Sequence, residues 1–145
     1  MLSKILVPTD GSPLSLKAIE GAVSLAIKLR SSMVGVTIVE PYPYEAISNH
    51  TPVESRAQHE ARMQSEAAGR LMPLTAAAKA AGVPLETVVK TSISPYEAII
   101  QTANEYACDG IVMSSHGRRG LSGLLLGSET QKVLTHSTIP VLVLR

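Results

Sequence analysis

Lys4-Ile5-Leu6-Val7-Pro8-Thr9-Asp10-Gly11-Ser12-Pro13 decides how the rest of the chain is read. Ile5-Leu6-Val7 is a short β-favouring run, and Thr9-Asp10-Gly11 is turn chemistry. Ser12 before Pro13 is a helix N-cap followed by proline at the first helical position, where the missing N–H has no intrahelical partner anyway. Beyond it Leu16, Ile19, Ala22, Val23, Ala26 and Leu29 recur at the three- and four-residue spacing of one helix face. A strand that turns directly into such a helix opens a βαβ unit.

The same alternation continues outward. Residues 33–39 are a nearly continuous apolar run, which implies a strand buried on both faces. Pro41, Pro43 and the polar stretch to His50 read as a loop. Thr51-Pro52-Val53-Glu54 has the form of a capping box with proline at the first helical position. The helix it opens is expected to reach Ala81 and stop at Gly82, with a kink or break where Gly69 and Pro73 interrupt it. Residues 85–90 form a third strand. Ser94-Pro95-Tyr96-Glu97 repeats the capping device ahead of a helix to about Ala107, and residues 111–114 form a fourth strand. A glycine-rich segment from Ser115 to Gly127 leads into a helix from about Ser128 to about His136. Pro140 makes the last strand, Val141 to Leu144, an edge strand or one that begins after the proline. The expected fold class is therefore α/β: a single doubly wound, five-stranded, mostly parallel sheet with helices on both faces, one domain spanning residues 1–145.

Composition narrows the function classes. The 145 residues carry a net charge of +1, no Phe, no Trp and four Tyr. Near-neutrality removes a bulk electrostatic case for nucleic acid or an anionic membrane, and the missing rings remove a stacking platform for single-stranded bases. A single cysteine, Cys108, excludes an internal disulfide and a multi-cysteine zinc site. It reads as a small buried hydrophobe. His50, His59 and His136 lack metal-ligand spacing. No apolar stretch reaches the ~20 residues of a bilayer span, and the N-terminal run is not a signal peptide, so a cytoplasmic location is expected.

In an open parallel sheet a ligand sits outside the carboxyl ends of the strands, where strand order reverses. The first strand ends in Pro8-Thr9-Asp10-Gly11-Ser12 and the fourth in Met113-Ser114-Ser115-His116-Gly117, the most polar and glycine-rich turns of the chain. If these strands are neighbours, both turns face one crevice. Glycines ahead of a helix N-terminus let backbone N–H groups approach phosphate oxygens, and Arg118 and Arg119 offset phosphate charge. The alternative is a loop whose glycines serve turns and close packing. The segment is neither a P-loop nor a G-x-G-x-x-G fingerprint.

At this point the chain resembles the universal stress protein family, over its whole length. The family's nucleotide motif is Gly, two residues, Gly, nine residues, then Gly-Ser or Gly-Thr. Here it runs through Gly117, residues 118–126 and Gly127-Ser128, with Ser114 in place of the first glycine. The family's Pro-Thr-Asp-Gly-Ser opening stands at Pro8 to Ser12 and its Pro-Val-Leu-Val ending at Pro140 to Val143. The resemblance implies an ATP-type adenine nucleotide, with or without Mg²⁺, at the switch point. Pro8, Thr9 and Asp10 would lie by the adenosine, with Asp10 on a ribose hydroxyl, a water or a metal. Val39 would meet adenine through its backbone, and Met113 would line the pocket. Gly117, Gly127, Ser128 and Thr130 would take the phosphates, with Glu129 in the same first turn and Arg118 and Arg119 swinging over them. His116 would pack beside the ligand rather than catalyse. The resemblance also implies a homodimer through Val141 to Leu144 and an unknown protein partner.

The resemblance implies an adenine-nucleotide-binding stress sensor, with two alternatives: a dimeric interaction module that binds no nucleotide, as some branches of the family resemble, and a weak ATP hydrolase. Ser114 favours the interaction module. Only Asp10 or His116 is available to position a hydrolytic water for the hydrolase.

Overall fold

The computed structural model describes residues 2–43, 54–118 and 126–145. Lys4–Pro8 (β1) is its centre: Ile5, Leu6 and Val7 are wholly buried. The chain continues through Pro13–Leu29 (α1), Ser32–Val39 (β2), Arg56–Ala81 (α2), Leu85–Thr91 (β3), Pro95–Glu105 (α3), Gly110–Ser114 (β4), Ser128–His136 (α4) and Val141–Leu144 (β5). The five strands form one sheet in the order β3-β2-β1-β4-β5, and every pairing is parallel. Strand order reverses between β1 and β4, so the expected α/β doubly wound fold holds and the switch point lies between the two turns singled out above.

Strand alternation explains the two layers. Ile5 and Val7 face α1 and α2, joining Ile19, Ala22, Ala26, Leu74 and Ala78 in one core. Leu6 faces the other way, with Val34, Val36, Ile111, Ile99 of α3 and Val133 of α4. Alanine supplies the close helix–sheet approach that aromatic rings would prevent. Gly35 shows the tightness: a Cβ there would come 2.5 Å from Leu74 Cδ2. Cys108 is buried in the second core, and burial pushes its thiol up to about 11.

Three local expectations need correction. The capping box that starts α2 is Ser55 with Gln58, not Thr51 with Glu54. The Ser55 hydroxyl accepts from Gln58 N, and the Gln58 side chain accepts from Ser55 N. Glu54 is drawn off instead by Arg62, whose Nε and Nη2 donate to its two oxygens at 2.8 and 3.0 Å. Residues 51–53 lie outside the described residues.

Second, α2 is not broken at Pro73. An interior proline costs ~3 kcal/mol or more. Leu71 and Leu74, on either side of it, are 7% and 0% exposed and together return a comparable amount, ~1.5–3 kcal/mol each. Packing therefore wins over propensity. Third, Ser94 stands at the N-cap of α3 but its side chain makes no cap bond. That end is satisfied from another helix, as described below. At the far edge β5 begins after Pro140, as its sequence requires, and Leu142 is 45% exposed. Among the described residues no helix is long and apolar enough to cross a membrane.

Candidate functional site

Where β1 ends, Thr9 N still donates to Val36 O, and the chain then turns sharply. Asp10 Oδ1 accepts from Ser12 N at 3.0 Å, and Gly11 takes a φ of +78° that a side chain would strain. The Ser12 hydroxyl accepts from Ser15 N and caps α1. Thr9 is tied inward, its hydroxyl donating to Ser15 Oγ at 3.2 Å. Asp10 is thereby fixed on one oxygen, with the other aimed across the switch point. That second oxygen, Oδ2, accepts from Arg118 N at 2.6 Å. The two turns thus meet directly through one carboxylate. Pro8 is half-buried beside them.

The β4 turn is built with equal economy. Ser114 Oγ donates to His116 O at 2.8 Å, so the hydroxyl that replaces the motif's first glycine folds back on its own turn. The Ser114 carbonyl accepts from Thr130 Oγ1 at 3.0 Å, pinning α4 to the strand end. Gly127 N donates to Ser115 O at 2.7 Å, closing the loop at its base. Gly127 is the N-cap of α4 and offers no side-chain cap. A Cβ there would sit 3.2 Å from His116 Cα. A Cβ at Gly117 would come 2.6 Å from Asp10 Oδ2, so a side chain there would displace the carboxylate opposite. The ring of His116 lies against Ser115 Oγ through Nδ1, at 3.1 Å, while Nε2 is buried without a partner among the described residues. Ser128 is exposed at the first turn of α4, and Arg118 is exposed in the loop.

Not every expected residue faces this crevice. Met113 is 6% exposed and packs in the core under α3 and α4. Glu129 turns its carboxylate away: Oε2 accepts from Tyr96 N at 2.9 Å and Oε1 from Lys132 Nζ at 3.0 Å. It supplies the cap that Ser94 does not. Arg119 lies outside the described residues.

Val39 is also turned away. Its carbonyl accepts from Ser92 N at 3.0 Å, on the β3 side, and its side chain packs on Met63 and Ala67. Backbone groups alternate along a strand, so Ile38 presents its carbonyl to the crevice instead. β1 has ended by that level, and Ile38 O accepts from Arg70 Nη1 at 3.0 Å. Sequence reading missed both residues. The period-two alternation counted from Val36, which pairs with Pro8, identifies Ile38. No sequence signal singles out Arg70, which stands among exposed charges on α2.

An opening of about 300 Å³ adjoins Asp10 and is lined by Gly11, Glu66, Gly69, Arg70 and Arg118 as well. Among the described residues there is no group of three His, Cys, Asp or Glu side chains that could hold a metal by themselves. Asp10 is a single hard oxygen donor. It suits a divalent ion already carried by phosphates, since Mg²⁺ usually takes one or two carboxylates and keeps its waters.

Comparison with known proteins shows the family and the fold. The family model described as the universal stress protein family matches residues 1–145. Universal stress protein YxiE of Bacillus subtilis is 34% identical over 150 residues, covering all of both chains. The solved hypothetical protein MJ0577 superimposes with a TM-score of 0.83 at 24% identity, over 99% of this chain and 96% of its own. A universal stress protein solved in complex with cAMP gives a TM-score of 0.70 at 25% identity, over 98% of this chain and 95% of its own. With a family model that matches residues 1–145 and a curated relative 34% identical over its full length, the chain belongs to the universal stress protein family.

Proposed function

We propose that this chain binds an adenine nucleotide, ATP or a relative, at the β1–β4 switch point and acts as a regulatory module in a stress response. The observation that carries the reading is the meeting of Asp10 Oδ2 with Arg118 N beside a glycine whose added Cβ would press on that carboxylate. The Asp10 carboxylate is the acceptor a ribose hydroxyl needs, and the Arg118 amide it now holds is released to the loop when the ribose takes its place. Ile38 replaces Val39 as the strand residue that meets the base. The N-terminus of α4, with Gly127, Ser128 and Thr130, takes the phosphates through N–H groups and its partial positive charge. Asp10 would be a carboxylate available to Mg²⁺ carried by the phosphates, if it is not engaged by the ribose. The solved relative that holds cAMP supports the adenine class. Release of the Arg118 amide from Asp10 then changes the face offered to a partner.

The dimer belongs to the same proposal. β5 pairs with β4 on one side only and leaves Leu142 exposed, an edge that a second copy would cover. One observation favours the reading without nucleotide: Asp10 and Ser114 already have protein partners. Calorimetric titration with ATP, AMP, cAMP and GTP, with and without Mg²⁺, separates the two. Micromolar binding of adenine over guanine nucleotides, near −8 kcal/mol, is expected. Absence of heat with every nucleotide would leave the interaction module standing.

A further inference from the structure

Arg70 is the crevice residue that the family motif does not account for. Its side chain is only 14% exposed, unusual for arginine on a helix otherwise lined with solvated charges. Nη1 donates to Ile38 O at 3.0 Å, and Nη2 donates to Glu66 Oε2 at 3.0 Å. Glu66 is itself steadied on its other oxygen by Arg62 Nη1 at 3.0 Å. The stem of Arg70 lies on the β1 turn, where a Cβ at Gly11 would be 3.1 Å from its Cγ. One side chain therefore touches both the end of β2 and the turn that carries Asp10.

The Ile38 carbonyl is what makes this position matter. β1 ends at Pro8 and its turn spends Gly11 N on Thr9 Oγ1, so no ladder N–H reaches Ile38 O. A partly buried carbonyl needs a donor, and Arg70 supplies it. The guanidinium is planar and presents N–H donors in its plane, as the exocyclic amine of adenine does. We propose that Arg70 is a built-in competitor at the base subsite, its guanidinium occupying the Ile38 carbonyl in the free protein until an amino-bearing base displaces it.

This inference rests on the nucleotide reading and deepens it. The displaced guanidinium keeps Glu66 and moves toward the opening of about 300 Å³ beside Asp10. A base with an amine at its edge restores the donor that Ile38 O loses. A base with a carbonyl there, such as guanine, places oxygen against oxygen and leaves Ile38 O unsatisfied, so it cannot displace Arg70 productively. Arg70 therefore lowers affinity for the amino-bearing base that must displace it and leaves affinity for a carbonyl-bearing base, which does not, unchanged.

The test is calorimetric titration of the full chain with ATP and GTP, comparing wild type, Arg70→Met and Arg70→Lys. Arg70→Met keeps an unbranched stem over Gly11 but offers no donor. It should bind ATP about tenfold more tightly than wild type and gain nothing for GTP. Arg70→Lys should fall between the two, and it decides the matter alone if Arg70→Met does not fold. A thermal-shift readout runs in parallel: free Arg70→Met should melt below free wild type, with the gap closing at saturating ATP. Wild type that binds ATP while both variants bind it equally or more weakly overturns the role given to Arg70. A lack of ATP binding by all three overturns the nucleotide reading itself, and this proposal with it.

Discussion

Gly117→Ala tests whether the two turns at the switch point work as one unit. The added Cβ would lie 2.6 Å from Asp10 Oδ2. An ordinary C···O approach is about 3.3 Å, so the carboxylate or the loop must yield by roughly 0.7 Å. The contact at risk is the 2.6 Å bond from Arg118 N to Asp10 Oδ2. Hydrogen bonds to charged groups contribute ~1.5–3 kcal/mol, and exposure of this one puts it at the lower end or below. Alanine returns ~0.4–1 kcal/mol by restricting the unfolded chain. The net loss of stability should therefore stay within about 1 kcal/mol. Affinity for ATP should fall about tenfold, because the Asp10 carboxylate is both the displaced group and the proposed ribose acceptor. Urea unfolding and calorimetric titration of wild type, Gly117→Ala, Asp10→Ala and the double variant complete the cycle. Removing the Asp10 carboxylate removes the clash, so Gly117→Ala should cost little in the Asp10→Ala background. Additivity within ~0.5 kcal/mol would refute the reasoning, since it would mean the two residues do not meet.

Other consequences follow from individual contacts. Glu129→Ala should leave Tyr96 N uncapped and cost about 1 kcal/mol, a fall in Tm of about 2–4 °C for a domain of this size; an unchanged Tm would contradict the cross-helix cap. The backbone N–H groups of Lys4 and Ser3 hold the Asp109 carboxyl below the usual carboxylate range. The folded value lies below the unfolded one, so this stabilisation is present above about pH 4 and is lost as pH falls through the folded value. Asp109→Asn should therefore unfold at lower urea than wild type at pH 7, with the gap narrowing toward pH 3; a constant gap would count against it. Leu142→Glu places a charge on the exposed edge strand and should give a monomer in sedimentation where wild type gives a dimer. A dimeric variant would move the interface elsewhere.

The strands and helices are legible because each carries its own period and its own punctuation. Ser12-Pro13 starts α1 and Gly82 ends α2 as their chemistry requires. What sequence could not reveal depends on distant partners. Glu54 belongs to Arg62 rather than to a capping box, and Glu129 belongs to α3 rather than to its own helix terminus. Gly69 and Pro73 predict a kink or a break by local cost, and the burial of Leu71 and Leu74 shows why the helix continues through them. At the candidate site, Pro8 to Ser12 and Gly117 come together at the switch point, because glycine and turn residues are needed wherever backbones approach. The choice between Val39 and Ile38 requires the β1–β2 register, where a one-residue slip reverses every backbone edge. Arg70 requires the rotation of α2 on the sheet, which no local pattern encodes.

The most direct measurement is a backbone amide NMR titration of the full chain with Mg²⁺-ATP. The account predicts saturable shifts concentrated at Gly11, Gly117, Arg118, Gly127 and Ser128, with Ile38 perturbed at the end of β2. Shifts confined to the β3 or β5 edges, or no shifts at millimolar ATP, would contradict a nucleotide site at the switch point.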